Sequence, residues 1–365
     1  MDMKDMRWFP KKIDTGLWDA GHIQGIAVDE EKGYIYYSYT TIFVKAKLDG
    51  SVVGYVEGLT GHLGCIAFNE EDGKVYGSIE YKHDNIGQSI MRRTGQTIAG
   101  EDAFYIAIFD VDKIDRLAMS AENDDVMRAV YLPDVVEDYM AAGEEGKPHR
   151  LACSGIDGIS FGPVFGEDKN SQKQMMVAYG VYGDVERKDN DYQIIRQYDW
   201  RKMDAVAKPL NQLAPHHCGL QSQACYALFT GNTTFGIQNL EYDSYTGNWF
   251  FTVYRGKKPD YPNYPMYVID GSKKPQEQVL QGVVPQVQIP CLSLKETALK
   301  DPKTGICGHS LPYGQTGLYS FGNGYFYISH NQMVEINGGA RKLQTGVIYL
   351  YTYKEDAPEG FVQVK

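Results

Sequence analysis

Polar residues of the kinds that move protons or grip anions stand at matching places in five short apolar stretches of this sequence. Gln24, Gly64, Asp157, Gln238 and Thr316 occupy equivalent positions, with His22 and His62 two residues ahead of the first two. Each stretch is followed by an aromatic one, and these end in Tyr39, Glu80-Tyr81-Lys82-His83, Tyr182, Tyr254-Arg255 and His330-Asn331. Imidazole and phenol groups exchange protons with a substrate, a guanidinium forks onto a carboxylate, and planar rings stack on sugars. Gathered in one concavity, such a set suits a small-molecule or oligosaccharide ligand.

His22, His62, Tyr254 and Glu80 are the candidate catalytic groups; Arg255, Gln238, Gln24, His83, Tyr182 and His330 are the candidate substrate contacts. Glu80 stands apart because it ends a strand, whereas Asp29-Glu30-Glu31 and Glu70-Glu71-Asp72 fall where hairpin turns are expected. Arg255 ends the aromatic run Trp249 to Tyr254, which aims it at the same end as a carboxylate partner, the alternative being a surface salt bridge. A ring of oxygens around Asp157 could hold calcium, with Asp157 as the metal ligand, although one carboxylate among amides binds a hard cation weakly. The same polar groups serve equally to satisfy backbone or to hold ordered water, and the two histidines serve equally as core or turn residues. His216-His217 beside Cys218, and Gly305 to His309, fit no zinc template and read as loops.

The elements that must position these groups form a repeat. First stretches are Gly21 to Ala27, Gly61 to Ala67, Ser154 to Ser160, Phe235 to Glu241 and Tyr313 to Tyr319; second ones are Gly33 to Tyr39, Lys74 to Glu80, Met175 to Tyr182, Trp249 to Arg255 and Tyr325 to His330. Two further strand-like runs follow each pair. They are Thr41 to Leu48 and Val52 to Val56, Phe104 to Val111 and Val126 to Leu132, Tyr192 to Tyr198 and Cys225 to Thr230, Met266 to Ile269 and Val287 to Leu292, and Val347 to Tyr353 and Phe361 to Val364. Four antiparallel strands repeated five times predict an all-β, five-bladed β-propeller in one domain over residues 1–365. The spacing is uneven, roughly 40 residues once and about 80 to 90 afterwards, which leaves six or seven blades as an alternative. Short helices are expected at Ile114 to Glu122 and Asp134 to Ala142, and Trp8-Phe9-Pro10 is expected to pack on the last blade and close the ring. In such a blade the first strand is innermost, and its beginning lies at the same end as the close of the second. Both sets of polar residues therefore open on one mouth.

Composition agrees with strands and tight turns: 28 Tyr and 39 Gly against 12 Met and 4 Trp. A net charge of −11 with no basic run would repel a phosphate backbone, so nucleic acid is not an expected partner. No apolar run is long enough for a membrane span, and membrane association is not expected. The six cysteines show no close metal-ligand pairing and read as mostly buried thiols. The opening Met1 to Met6 lacks a secretory pattern, which predicts a cytoplasmic protein, or a secreted or periplasmic one if an export signal has been removed. No phosphate-binding loop, dinucleotide fingerprint, zinc-protease helix or nucleophile elbow is present, so no nucleotide cofactor is expected.

The blade pattern resembles the β-propeller superfamily, and the His, Tyr and Arg clustering at one mouth resembles bacterial carbohydrate-active propellers, including polysaccharide lyases and five-bladed glycosidases. The resemblance covers nearly the whole chain as architecture and carries no specific motif. It implies glycan degradation, with lyase-type β-elimination on a uronic-acid-containing saccharide as the leading expectation. Arg255 and Gln238 would neutralise the sugar carboxylate while His22, His62 or Tyr254 takes the adjacent proton. A glycoside hydrolase using Glu80 with Asp157 or Glu241 is the alternative, and a non-catalytic sugar- or protein-binding propeller is a third.

Overall fold

The computed structural model describes residues 5–143, 146–336, 338 and 341–365, so that Met1 to Lys4 lie outside the described residues. Strands alternate their side chains between two faces, and here the inner strands of the first three blades are buried on both faces, as expected where each sheet is covered on both sides. Adjacent residues of one strand thus feed different cores. Tyr36 enters the cluster between blades 1 and 2 while Tyr37 enters the one between blades 5 and 1. Trp249 and Phe250 divide in the same way between the interfaces on either side of blade 4. Five hydrophobic clusters result, one per interface. Each fully buried ring contributes roughly 2–3 kcal/mol.

Among the described residues five of the six sheets are blades arranged in a ring, and the sixth is a two-stranded pair of Leu299–Lys300 with Cys307–Gly308. Blade 1 runs Ile23–Asp29, Tyr34–Tyr39, Ile42–Lys47 and Val52–Glu57; blade 2 runs His62–Asn69, Lys74–Tyr81, Ala103–Phe109 and Met127–Tyr131. Blade 3 runs Cys153–Gly162, Gln174–Val181, Tyr192–Tyr198 and Ala224–Phe229, and blade 4 has three strands, Thr233–Asp243, Asn248–Arg255 and Met266–Ile269. Blade 5 contains Leu318–Ser320, Tyr325–Ile336 and Arg341–Tyr353. First strands pack against one another in order, and the fifth returns to the first.

Ring closure uses both ends of the described chain. Lys12–Asp14 pairs antiparallel with Val347 to Tyr349, and Phe361–Gln363 pairs with Tyr351 to Tyr353 of the same strand. Phe9 packs edge-on against Phe321 and the Pro10 carbonyl accepts from Tyr327, but Trp8 stays in solvent.

Three local expectations are corrected. Gln288–Cys291, expected in blade 4, adds in parallel to the outer strand of blade 3 through Ala227 and Cys291. Residues 114 to 122 are not helical: Met119–Ser120 joins the edge of blade 1 beside Val56 and Glu57, after Ala118 takes a positive φ. A helix that went unexpected, Asn85–Thr94, sits between the second and third strands of blade 2, capped by Asp84 and ended by Gly95 in the left-handed conformation. The helix at Pro133–Met140 lies where one was expected. Among the described residues no helix is long and apolar enough to cross a membrane, and all six cysteines are free thiols.

Candidate functional site

The first strands of blades 1 to 4 are bulged where they open. Register shifts fall between Ile23 and Gly25, Leu63 and Ile66, Ile156 and Ile159, and Ile237 and Asn239. Gln24, Gly64, Asp157 and Gln238 are residues inside these bulges. An extra residue in one strand bends the chain and re-aims a side chain, which explains how polar groups escape the inter-blade cores and reach the mouth.

The channel behind them is stopped. Asn239, wholly buried, donates to the carbonyls of Gln24 and Gln315 at 2.9 and 3.0 Å, and its oxygen accepts from Cys65 Sγ at 3.4 Å. A second device recurs in the next strand outward, where a small hydroxyl donates to the following blade's first strand or to the segment leading into it. Ser38 reaches the Gly64 carbonyl at 2.6 Å, Ser78 that of Asp157 at 2.9 Å and Thr252 that of Gly314 at 2.9 Å. These hydroxyls carry a sequence signal that went unread: a Ser or Thr at one register position of the second strand.

Above the plug lies a cavity of about 380 Å³ lined by His22, Gln24, His62, Glu80, Asp157, Gln238 and Tyr254, together with Lys82, Arg93, Ser154 and Phe235. Glu80 and Lys82 form its buried anchor, both side chains 3% exposed and 2.6 Å apart. Lys82 Nζ also donates to the Ser154 carbonyl at 2.6 Å and stands 3.3 Å from Asp84, the residue that caps the Asn85–Thr94 helix. Glu80 Oε2 accepts from the Ile156 amide at 3.2 Å. Room for that carboxylate requires Gly155, whose φ is +128° and where a Cβ would fall 1.9 Å from Glu80 Oε2.

His62 Nδ1 stands 3.4 Å from Glu80 and 3.9 Å from Asp157, at ion-pair distance from both carboxylates yet in hydrogen-bond geometry with neither. Asp157 Oδ2 accepts from Gln238 Nε2 at 3.1 Å. Gln24 Nε2 donates to the Thr40 hydroxyl at 3.2 Å.

Burial and charge set different protonation states within this one space. Burial lowers the His22 imidazole to about 4, helped by His62 and Arg93, so it is a free base at neutral pH. Burial raises Asp157 to about 7 with the Glu80 charge adding, against His62 and Lys82. Burial would also raise Glu80, but Lys82 and His62 outweigh it and hold the carboxyl below its ordinary value. Lys82 is raised in turn, Glu80 and Asp84 overcoming its desolvation. His62 is likewise raised, because Glu80 and Asp157 prevail over burial. Tyr254 is pushed up to about 12, by burial first and then by Asp157. Titratable groups whose surroundings drive them apart in this way are what acid–base chemistry uses.

Four expected substrate contacts lie outside the cavity, and period two explains two of them. Tyr254 lines the cavity, so Arg255 next to it points to the other face and is exposed. Glu80 and Lys82 line it, so Tyr81 and His83 face away, and His83 pairs with Asp102 at 2.8 Å. Tyr182 packs with His149 behind the wall, their ring centroids 5.1 Å apart. His330 stacks on Tyr313 at 3.5 Å and contacts the Tyr351 hydroxyl at 2.9 Å. Thr316 turns to Ser329 rather than to the mouth. Among the described residues no three His, Cys, Asp or Glu side chains are grouped to share a metal ion, and Asp157 has the Gln238 amide nitrogen on one of its oxygens.

No protein-family model matches the sequence. No curated protein matches it either. Solved structures of similar shape include the Dos1 propeller, at 8% identity and a TM-score of 0.36, covering 94% of this chain and 58% of that one. Another is the holo form of the PQQ domain of pyranose dehydrogenase from Coprinopsis cinerea, at 10% identity and 0.34, covering 88% and 81%. A third is a protein of unknown function from Bacteroides caccae, at 12% identity and 0.29, covering 74% and 86%. The chain therefore spans under two thirds of the Dos1 propeller it matches. It is an all-β chain folded as a five-bladed β-propeller.

Proposed function

We propose that this mouth cleaves a uronic-acid-containing saccharide by β-elimination. The observation that carries the reading is His22, an imidazole kept as a free base beside His62 and Arg93 in a cavity that also holds a protonated phenol, Tyr254. Arg93 takes the part expected of Arg255: its guanidinium pairs with the sugar carboxylate and favours loss of the neighbouring proton. His22 accepts that proton, and the freed electron pair forms a carbon–carbon double bond in the ring. The glycosidic C–O bond breaks, its oxygen collecting a proton from Tyr254. Products are an unsaturated uronate and a free hydroxyl, with no water consumed. Asp157, protonated up to about 7, avoids repelling the anionic ring.

Hydrolysis through Glu80 and Asp157 is the weaker reading, because Glu80 is buried with one oxygen engaged by Lys82 and the other by the Ile156 amide. Incubation with uronate oligosaccharides separates the two. Elimination yields an ultraviolet-absorbing product of unchanged summed mass; hydrolysis yields reducing ends with water added and no chromophore. Absence of the chromophore across acidic substrates would remove the elimination reading.

A further inference from the structure

Phe235 is held where bulky residues avoid going. Its φ is +65° and that of Gly236 is +67°, so two consecutive left-handed residues interrupt the opening of blade 4. Such strain persists only where surrounding contacts impose it. Gly236 lies so close to blade 3 that a Cβ there would stand 2.5 Å from the Tyr179 carbonyl oxygen. Gln238 Nε2 pins the Phe235 carbonyl at 3.0 Å. The outcome is a phenyl ring 45% exposed at the cavity rim, edge-on to Tyr254 at 6.1 Å. A ring that joins no core, at a position glycine would occupy without strain, is unexplained by folding alone.

We infer that Phe235 is the platform on which a sugar ring stacks, and that with Arg93 it sets the ligand class, a pyranose bearing a carboxylate. The inference rests on the saccharide reading above but concerns binding rather than turnover. Arg93 enters the same cavity from the Asn85–Thr94 helix of blade 2. The apolar face of a ring thus meets Phe235 and its carboxylate meets the guanidinium. The amide that pins Phe235 also donates to Asp157, which registers a stacked ring against that carboxyl group.

Calorimetric titration with a galacturonate tetrasaccharide and a neutral galactose tetrasaccharide tests this. Phe235→Ala and Phe235→Gly should each weaken both ligands by about tenfold or more, while Phe235→Tyr stays within about threefold of wild type. Arg93→Gln should weaken only the acidic ligand. Phe235→Gly should also melt at or above the wild-type temperature, because it relieves the left-handed strain. The inference is overturned if wild type binds neither saccharide, if Phe235→Ala binds both as tightly as wild type, if Arg93→Gln affects both ligands equally, or if Phe235→Gly melts well below wild type. Binding by wild type without any unsaturated product would end the elimination reading and leave this inference standing.

Discussion

Asn239 Nδ2 donates to the Gln24 carbonyl at 2.9 Å, joining residues 215 positions apart across the axis of the ring. The same side chain reaches blade 5 through Gln315 and blade 2 through Cys65, so it knots blades together and floors the cavity. Asn239→Ala should cost roughly 2–4 kcal/mol of unfolding free energy, because buried partners are left unsatisfied. Urea denaturation measures it.

The Glu80 and Lys82 pair should behave as a unit. Lys82→Met strands a buried carboxylate and should destabilise by about 3–5 kcal/mol, whereas adding Glu80→Gln should recover much of the loss. The carboxyl is lowered and the ammonium raised. The pair's contribution therefore holds through the neutral range, fading in acid as Glu80 protonates and in strong alkali as Lys82 deprotonates. A double-variant loss equal to the sum of the Lys82→Met and Glu80→Gln losses would show that the two act independently.

Much of the ring was legible because Tyr36, Tyr76 and Trp249 sit in strands apolar on both faces and bounded by turn residues, a pattern that follows from burial between blades. The edge of blade 3 was not, since parallel addition of Gln288–Cys291 depends on tertiary packing and leaves no local mark. The Asn85–Thr94 helix was missed despite Asp84 and Gly95 at its ends, for a reason visible in Gly87. A Cβ there would lie 1.6 Å from the Lys82 carbonyl oxygen, so packing demands a residue that weakens the helix signal. With the helix went Arg93. Seven of the expected site residues line the cavity because bulges and strand ends recur in register; Arg255 failed because strand parity was not followed past Tyr254.

Glu241 opens on the opposite mouth, where burial raises it to about 8 against the hydrogen bonds from Ser320 N and Ser160 Oγ. Folded protein thus holds a proton that the unfolded chain releases near 4.5, and stability falls as pH rises between those values. Glu241→Gln should raise the melting temperature at about pH 9, by about 2 °C per kcal/mol recovered, and change little at about pH 5. Identical shifts at both pH values would contradict a buried neutral acid.

Activity should follow the two groups that frame the cavity. Protonation of His22 near 4 removes the base, and ionisation of Asp157 near 7 sets a negative charge beside an anionic substrate. The rate should therefore fall on both sides of that window, and Asp157→Asn should abolish the alkaline limb while sparing the acid one. An alkaline limb unchanged in Asp157→Asn would assign it to another group.

The most direct measurement is the rate of ultraviolet absorbance rise on a uronate oligosaccharide for wild type and His22→Ala side by side, with folding checked by melting. A chromophore formed by wild type and slowed by about 10²-fold or more in His22→Ala is the predicted result. No chromophore from wild type, or an undiminished rate without the imidazole, would contradict the account.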